Sequence, residues 1–143
     1  PPDGMGGFSE NVQSATFCSA DLAMIRLADV YLMRAECYLH GQGNLTEALE
    51  GVNYLRDRAG VARFETLDEQ TLLDERSREL YYEMTRRSDL IRFGRYTGNT
   101  QDVWSWKGNS RNGQRIDRRY NLMPIPTNIL SAQPEMKQNP GYN

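Results

Sequence analysis

Residues 25–60 read IRLADVYLMRAECYLHGQGNLTEALEGVNYLRDRAG, and this stretch decides the fold. Ile25, Ala28, Leu32, Ala35 and Leu39 recur at helical spacing. Leu27, Tyr31 and Tyr38 add a second stripe beside the first, which predicts a helix packed on more than one side. Gly41 and Gly43 end that helix. Asn44, followed three residues later by Glu47, is a capping pair that satisfies the orphan N–H groups of a helix start. Leu45, Ala48, Leu49, Val52, Leu55 and Ala59 then mark one apolar face, and Gly60 suits the left-handed position after a helix end. The stretch therefore encodes two antiparallel helices joined by a short glycine-containing turn.

On the N-terminal side, residues 1 to about 20 are rich in glycine, serine and asparagine without periodicity, and read as loop. Beyond residue 60, a third helix is expected from about Leu67 to Thr85. Thr66 and Glu69 would cap its start, Leu72, Leu73, Leu80, Tyr81 and Met84 would form its apolar positions, and Arg86–Arg87 would complement its dipole. A short fourth helix near Ser88 carries Leu90, Ile91 and Phe93, so residues 21–98 read as helical. Residues 99–143 read as irregular. Trp104 and Trp106 punctuate their polar first half, and prolines at 124, 126, 134 and 140 forbid a long helix in the second half, leaving about one turn after Thr127. The expected fold is mostly α: a helical hairpin, further helices, and an irregular proline-rich C-terminal wrap.

Composition narrows the function classes. The chain of 143 residues is 38% hydrophobic and 10% aromatic, which is globular. A formal net charge of -2 gives no field for nucleic acid or an anionic membrane surface. The only lysines are Lys107 and Lys137, so arginine supplies the positive charge, and arginine suits planar pairing with carboxylates. Cys37 lies in the first helix as an expected buried thiol, and its pairing with Cys18 stays open. No Cys/His motif forms a metal site, and His40 sits at a helix end without a nucleophile or orienting acid, so neither a metal nor a catalytic triad is expected. No apolar run spans a bilayer, and no leader precedes residue 1, so the sequence reads as a piece of a longer protein.

The hairpin resembles a tetratricopeptide repeat, with Ala35, Tyr38, Gly43 and Ala48 in the roles of small residue, tyrosine, turn glycine and early alanine, and one extra residue in the turn. Three stretches together resemble the SusD/RagB family. They are Arg26–Glu36 with Glu47–Leu49 and Val52–Gly60; Asp74–Glu83 with Arg86–Gly94; and Tyr120–Pro126 with Gln138–Tyr142. The resemblance covers nearly everything after Ile25 and makes the chain the C-terminal helical portion of such a protein. It implies a lipid-anchored protein on the outer-membrane surface of Bacteroidetes, its anchor outside this chain. Such a protein captures oligosaccharides or other nutrients beside a SusC-like TonB-dependent transporter, without a cofactor and without bond cleavage. Most of the family's ligand site is expected upstream.

Two places could carry chemistry. Glu75, Glu79 and Glu83 share a helix face, as a pair of glycosidase carboxylates would. Arg76, Arg78, Arg86 and Arg87 are interleaved with them, and neutralised carboxylates make poor general acids. A structural network is expected instead, with Glu79 and Arg86 or Arg87 as partly buried partners. The binding candidates are Trp104, Trp106 and Lys107: indole faces stack on sugar rings, and alternation in an extended segment would place both on one side. The plainer reading makes the rings anchors for the irregular segment. Arg111, Arg115, Arg118 and Arg119 read as a solvated, ion-paired loop. Nutrient binding is the first reading, a tetratricopeptide-like protein-interaction scaffold the second, and a helical glycan-cleaving enzyme the third.

Overall fold

The computed structural model describes residues 23–98 and 102–142. The described residues divide into two compact units between Phe64 and Glu65. All regular elements among them are helical, in agreement with the mostly α expectation. Cys18 and the N-terminal loop lie outside the described residues.

The first unit is the helical hairpin. Helix α1 spans Leu27–Leu39 and α2 spans Leu45–Arg58, and the two pack on each other. The turn follows the sequence closely. Gly41 and Gly43 both take positive φ, and the Asn44 side chain accepts the Glu47 N–H at 2.9 Å. Ala28, Leu32 and Ala35 of α1 are buried with Ala48, Val52 and Leu55 of α2. Close approach rests on Gly51, where an added Cβ would lie 3.2 Å from Tyr31 Cβ. After α2, Gly60 takes φ +69°. The chain is then held by the Asn53 amide, which accepts from Phe64 N–H at 2.7 Å and donates to Phe64 C=O at 2.9 Å. The Arg56 guanidinium covers the Phe64 ring. Cys37 departs from expectation: it is exposed rather than buried. The second stripe has an open side too, with Leu27, Val30 and Met33 exposed.

The second unit begins with α3, Glu69–Glu79, which is shorter than the periodicity predicts. Asp68, not Thr66, caps it, accepting the Thr71 N–H at 2.7 Å. That bond holds the Asp68 carboxyl below its ordinary range. The helix stops at Leu80, and Tyr82 and Met84 follow at positive φ. Arg86 and Arg87 therefore open α4, Arg86–Arg92, rather than closing α3. Leu72, Leu73, Leu80 and Leu90 form the apolar core between the two helices.

An ion pair lies within this core. Arg76 Nε is 3.0 Å from Asp89 Oδ2, with side chains 3% and 1% exposed. Asp89 Oδ1 accepts from Arg92 at 2.9 Å. This pair takes the place expected for Glu79 with Arg86 or Arg87, whose guanidinium groups donate to backbone carbonyls. Arg86 reaches Leu73, and Arg87 reaches Tyr120 and Asn121. The physical reason is the early end of α3, which lays α4 back across it and turns Asp89 inward.

The C-terminal wrap holds one short helix, α5, Thr127–Ala132, where one turn was expected. Side chains fasten the rest. Gln138 accepts the Ile125 N–H at 2.8 Å and donates to Ile125 C=O at 2.9 Å, while Asn139 donates to Met123 C=O. The hydroxyl of Tyr142 reaches Leu122 C=O at 2.9 Å.

Removing one member of the buried pair strands the other without a counter-charge. Asp89→Ala is expected to lower unfolding free energy by about 3–5 kcal/mol. The double change Arg76→Met, Asp89→Leu should cost clearly less, because no buried charge remains. Urea unfolding of the three proteins measures both.

Candidate functional site

The aromatic segment that the sequence singles out lies in the second unit, and it is not extended. Trp104 C=O accepts the Lys107 N–H at 3.1 Å, and Trp106 N–H donates to Ser110 C=O at 2.9 Å, forming a tight double turn. Trp106 itself takes φ +70°. Strand-like alternation therefore does not set the directions of the two rings. The turn closes on Gly113 at φ +72°, where a Cβ would meet the Trp104 carbonyl oxygen at 2.2 Å. Only glycine fits there.

The three candidates have different surroundings. Trp104 is 43% exposed and Trp106 is 66% exposed, so both present ring surface to solvent. Lys107 is 3% exposed. Its ammonium points inward, donating to Asp102 C=O at 2.5 Å and to Arg95 C=O at 3.3 Å, and lies 4.4 Å from the centre of the Trp104 ring. One face of Trp104 is thus spent on an internal cation. Desolvation pushes the Lys107 ammonium below the usual lysine range, opposed by the Asp102 carboxylate. Arg95 pairs with Asp102 at 3.0 Å and donates to Gln70 at 2.7 Å, so α3, the end of α4 and this turn share one polar junction.

The remaining candidates take structural positions. Glu75 is buried and paired to Arg78 at 2.7 Å, which leaves it ill-suited to proton transfer. Arg119 meets tyrosines rather than the expected carboxylates, lying 5.0 Å from the Tyr120 ring centre and 5.8 Å from that of Tyr142 while donating to Gly141 C=O. Among the described residues, no group of three or more His, Cys, Asp or Glu gathers as a metal site would require.

Two surfaces were missed by sequence reasoning. The larger is a hollow of about 440 Å³ lined by Leu80, Tyr81, Tyr82, Met84, Arg76 and Arg86. The smaller, about 200 Å³, lies on the hairpin between Tyr31, Arg34, Glu50 and Tyr54, where the two tyrosine rings meet edge to face at 5.6 Å.

Comparison with known proteins settles the family. The SusD family pattern matches residues 7–142, nearly the whole chain. The chain belongs to the SusD family. The starch-binding protein SusD of Bacteroides thetaiotaomicron is 42% identical over 132 residues, covering 92% of this chain and 23% of that protein. A SusD-like protein of Formosa agariphila is 36% identical over 133 residues, covering 84% of this chain and 24% of its own length. This SusD-family chain thus spans about a quarter of the length of the curated relatives it matches.

The buried lysine carries a pH signature. Its proton is bound more weakly in the folded chain than in the unfolded one, so protonation opposes folding. Stability is therefore expected to rise as pH climbs through the interval just below about 10.4, the ordinary lysine value. Lys107→Met should remove that rise. Unfolding midpoints of the two proteins, compared between pH 8 and pH 10.5 (about the span in which lysine titrates), test the sign; equal pH profiles would contradict it.

Proposed function

We propose that this chain is part of a nutrient-binding protein that captures glycan at the outer-membrane surface and delivers it to a SusC-like TonB-dependent transporter. The observation that carries the reading is the 42% identity to a protein named for starch binding. Lipid anchorage on the cell surface, through a segment outside this chain, follows from the same family relationship. Among the described residues no helix is long and apolar enough to cross a membrane.

Trp104 and Trp106 are the ligand contacts proposed within this chain. An indole offers a sugar ring a flat apolar face for its axial C–H groups, and both indoles have such surface exposed. Lys107 contributes by position: its bonds to Arg95 and Asp102 brace the turn that presents the rings. The proposed activity is binding without bond cleavage. It needs no activated carboxylate, and the pairing of Glu75 with Arg78 fits that reading. No cofactor enters it.

A scaffold role has one observation in its favour. The Tyr31–Arg34–Glu50–Tyr54 groove on the hairpin combines an aromatic pair with both charge signs, as peptide-binding helical repeats do. Calorimetry with a malto-oligosaccharide ladder, on the protein of family length and on this chain, separates the readings. Under the glycan reading, Trp106→Ala and Trp104→Ala each weaken binding by about tenfold, near 1.4 kcal/mol. Undiminished sugar affinity in both variants would remove the indoles from the site. Sugar binding lost on Tyr54→Ala alone would move it to the hairpin.

A further inference from the structure

The segment between α3 and α4 places large apolar groups in water on a backbone that disfavours them. Tyr82 is 81% exposed and Met84 is 84% exposed, and Tyr81 beside them is exposed as well. Tyr82 takes φ +67° and Met84 φ +60°, conformations that side chains with a Cβ rarely adopt. Such strain persists where surrounding structure over-determines it. Within the segment, the printed backbone hydrogen bond is Glu83 N–H to Leu80 C=O, and the Tyr81 and Tyr82 rings meet edge to face at 4.7 Å. The hollow they line has Leu80 and Arg76 in its walls, so the buried Arg76–Asp89 pair lies close behind it. An ion pair of that kind gains from a dry cover.

We propose that the Tyr81–Tyr82–Met84 shelf is the seat of an apolar segment of the same polypeptide, packed in cis from the three quarters of a family-length protein that lie outside this chain. Three observations converge on that occupant. The relatives are about four times as long as the region matched here, so a large amount of chain must find surfaces to bury against it. The shelf is dominated by Leu80, Tyr81, Tyr82 and Met84 and is open on its outer side, as half of a divided core is. The two strained residues are also the two most exposed members of the shelf, so the element needing support is the one that the missing cover would touch. The inference rests on family membership and not on the glycan reading.

Methionine oxidation tests it directly, because the thioether at Met84 is the probe. The 143-residue chain and the family-length protein carrying it are exposed to limiting peroxide, and Met84 sulfoxide is followed by peptide mass spectrometry. In the chain alone, Met84 should oxidise within about twofold of its rate in the unfolded chain. In the longer protein it should oxidise at least about tenfold more slowly, as a buried thioether does. Met84→Asp should correspondingly lower the unfolding midpoint of the longer protein and leave that of the chain unchanged. Equal oxidation rates in both proteins would overturn the proposal. So would protection that grows with the concentration of the chain alone, which means a second copy, or protection of the longer protein that appears only with added malto-oligosaccharide, which means a ligand site.

Discussion

The second unit depends on a carboxylate and a guanidinium held together out of water. Arg76 and Asp89 lie on consecutive helices, and with both side chains almost fully buried neither can exchange its partner for solvent. That requirement fixes the crossing of α3 and α4 more tightly than leucine packing alone, since apolar contacts tolerate sliding and a charge pair in a poor solvent does not. Once the crossing is set, Arg92 completes the coordination of Asp89, and Arg86 reaches back to the Leu73 carbonyl. Arg87 extends the same arrangement to Tyr120 and Asn121. The arginine-rich composition is thus turned inward, each guanidinium closing a gap that backbone ladders do not fill.

What could be read from the sequence follows the range of the forces involved. The hairpin was legible because its determinants are local: an apolar period, Asn44 three residues before Glu47, and glycines at positive φ in the turn. The end of α3 was not legible. Leu80, Tyr81 and Met84 continue the helical spacing, and nothing in a tyrosine or a methionine announces a left-handed backbone. The buried pair escaped for a related reason. Arg76 and Asp89 meet only because the helix breaks between them, whereas neighbour spacing along an unbroken helix directs attention to Glu79. Cys37 was read from its helix, but the face it occupies is exposed.

The candidate site was legible by residue type and not by direction. Two tryptophans beside a lysine are a fair sequence signal for sugar chemistry, and the indoles do present surface. The direction of Lys107 is set by the carbonyls of Arg95 and Asp102, the first of them twelve residues earlier, and by a turn that needs Gly113 where the sequence shows only one glycine among several. A one-dimensional reading has no access to which way an ammonium points.

The fastening of the proline-rich wrap has a consequence for the order in which the protein is made. Ile125, Met123 and Leu122 hold their backbone groups on Gln138, Asn139 and Tyr142, all of which leave the ribosome later. During synthesis the earlier segment therefore emerges with its amides and carbonyls still hydrated, while the hairpin, whose bonds span a short stretch already outside the tunnel, can close at once. The two units mature on different clocks, and a nascent chain halted before Gln138 would leave the second unit unlatched.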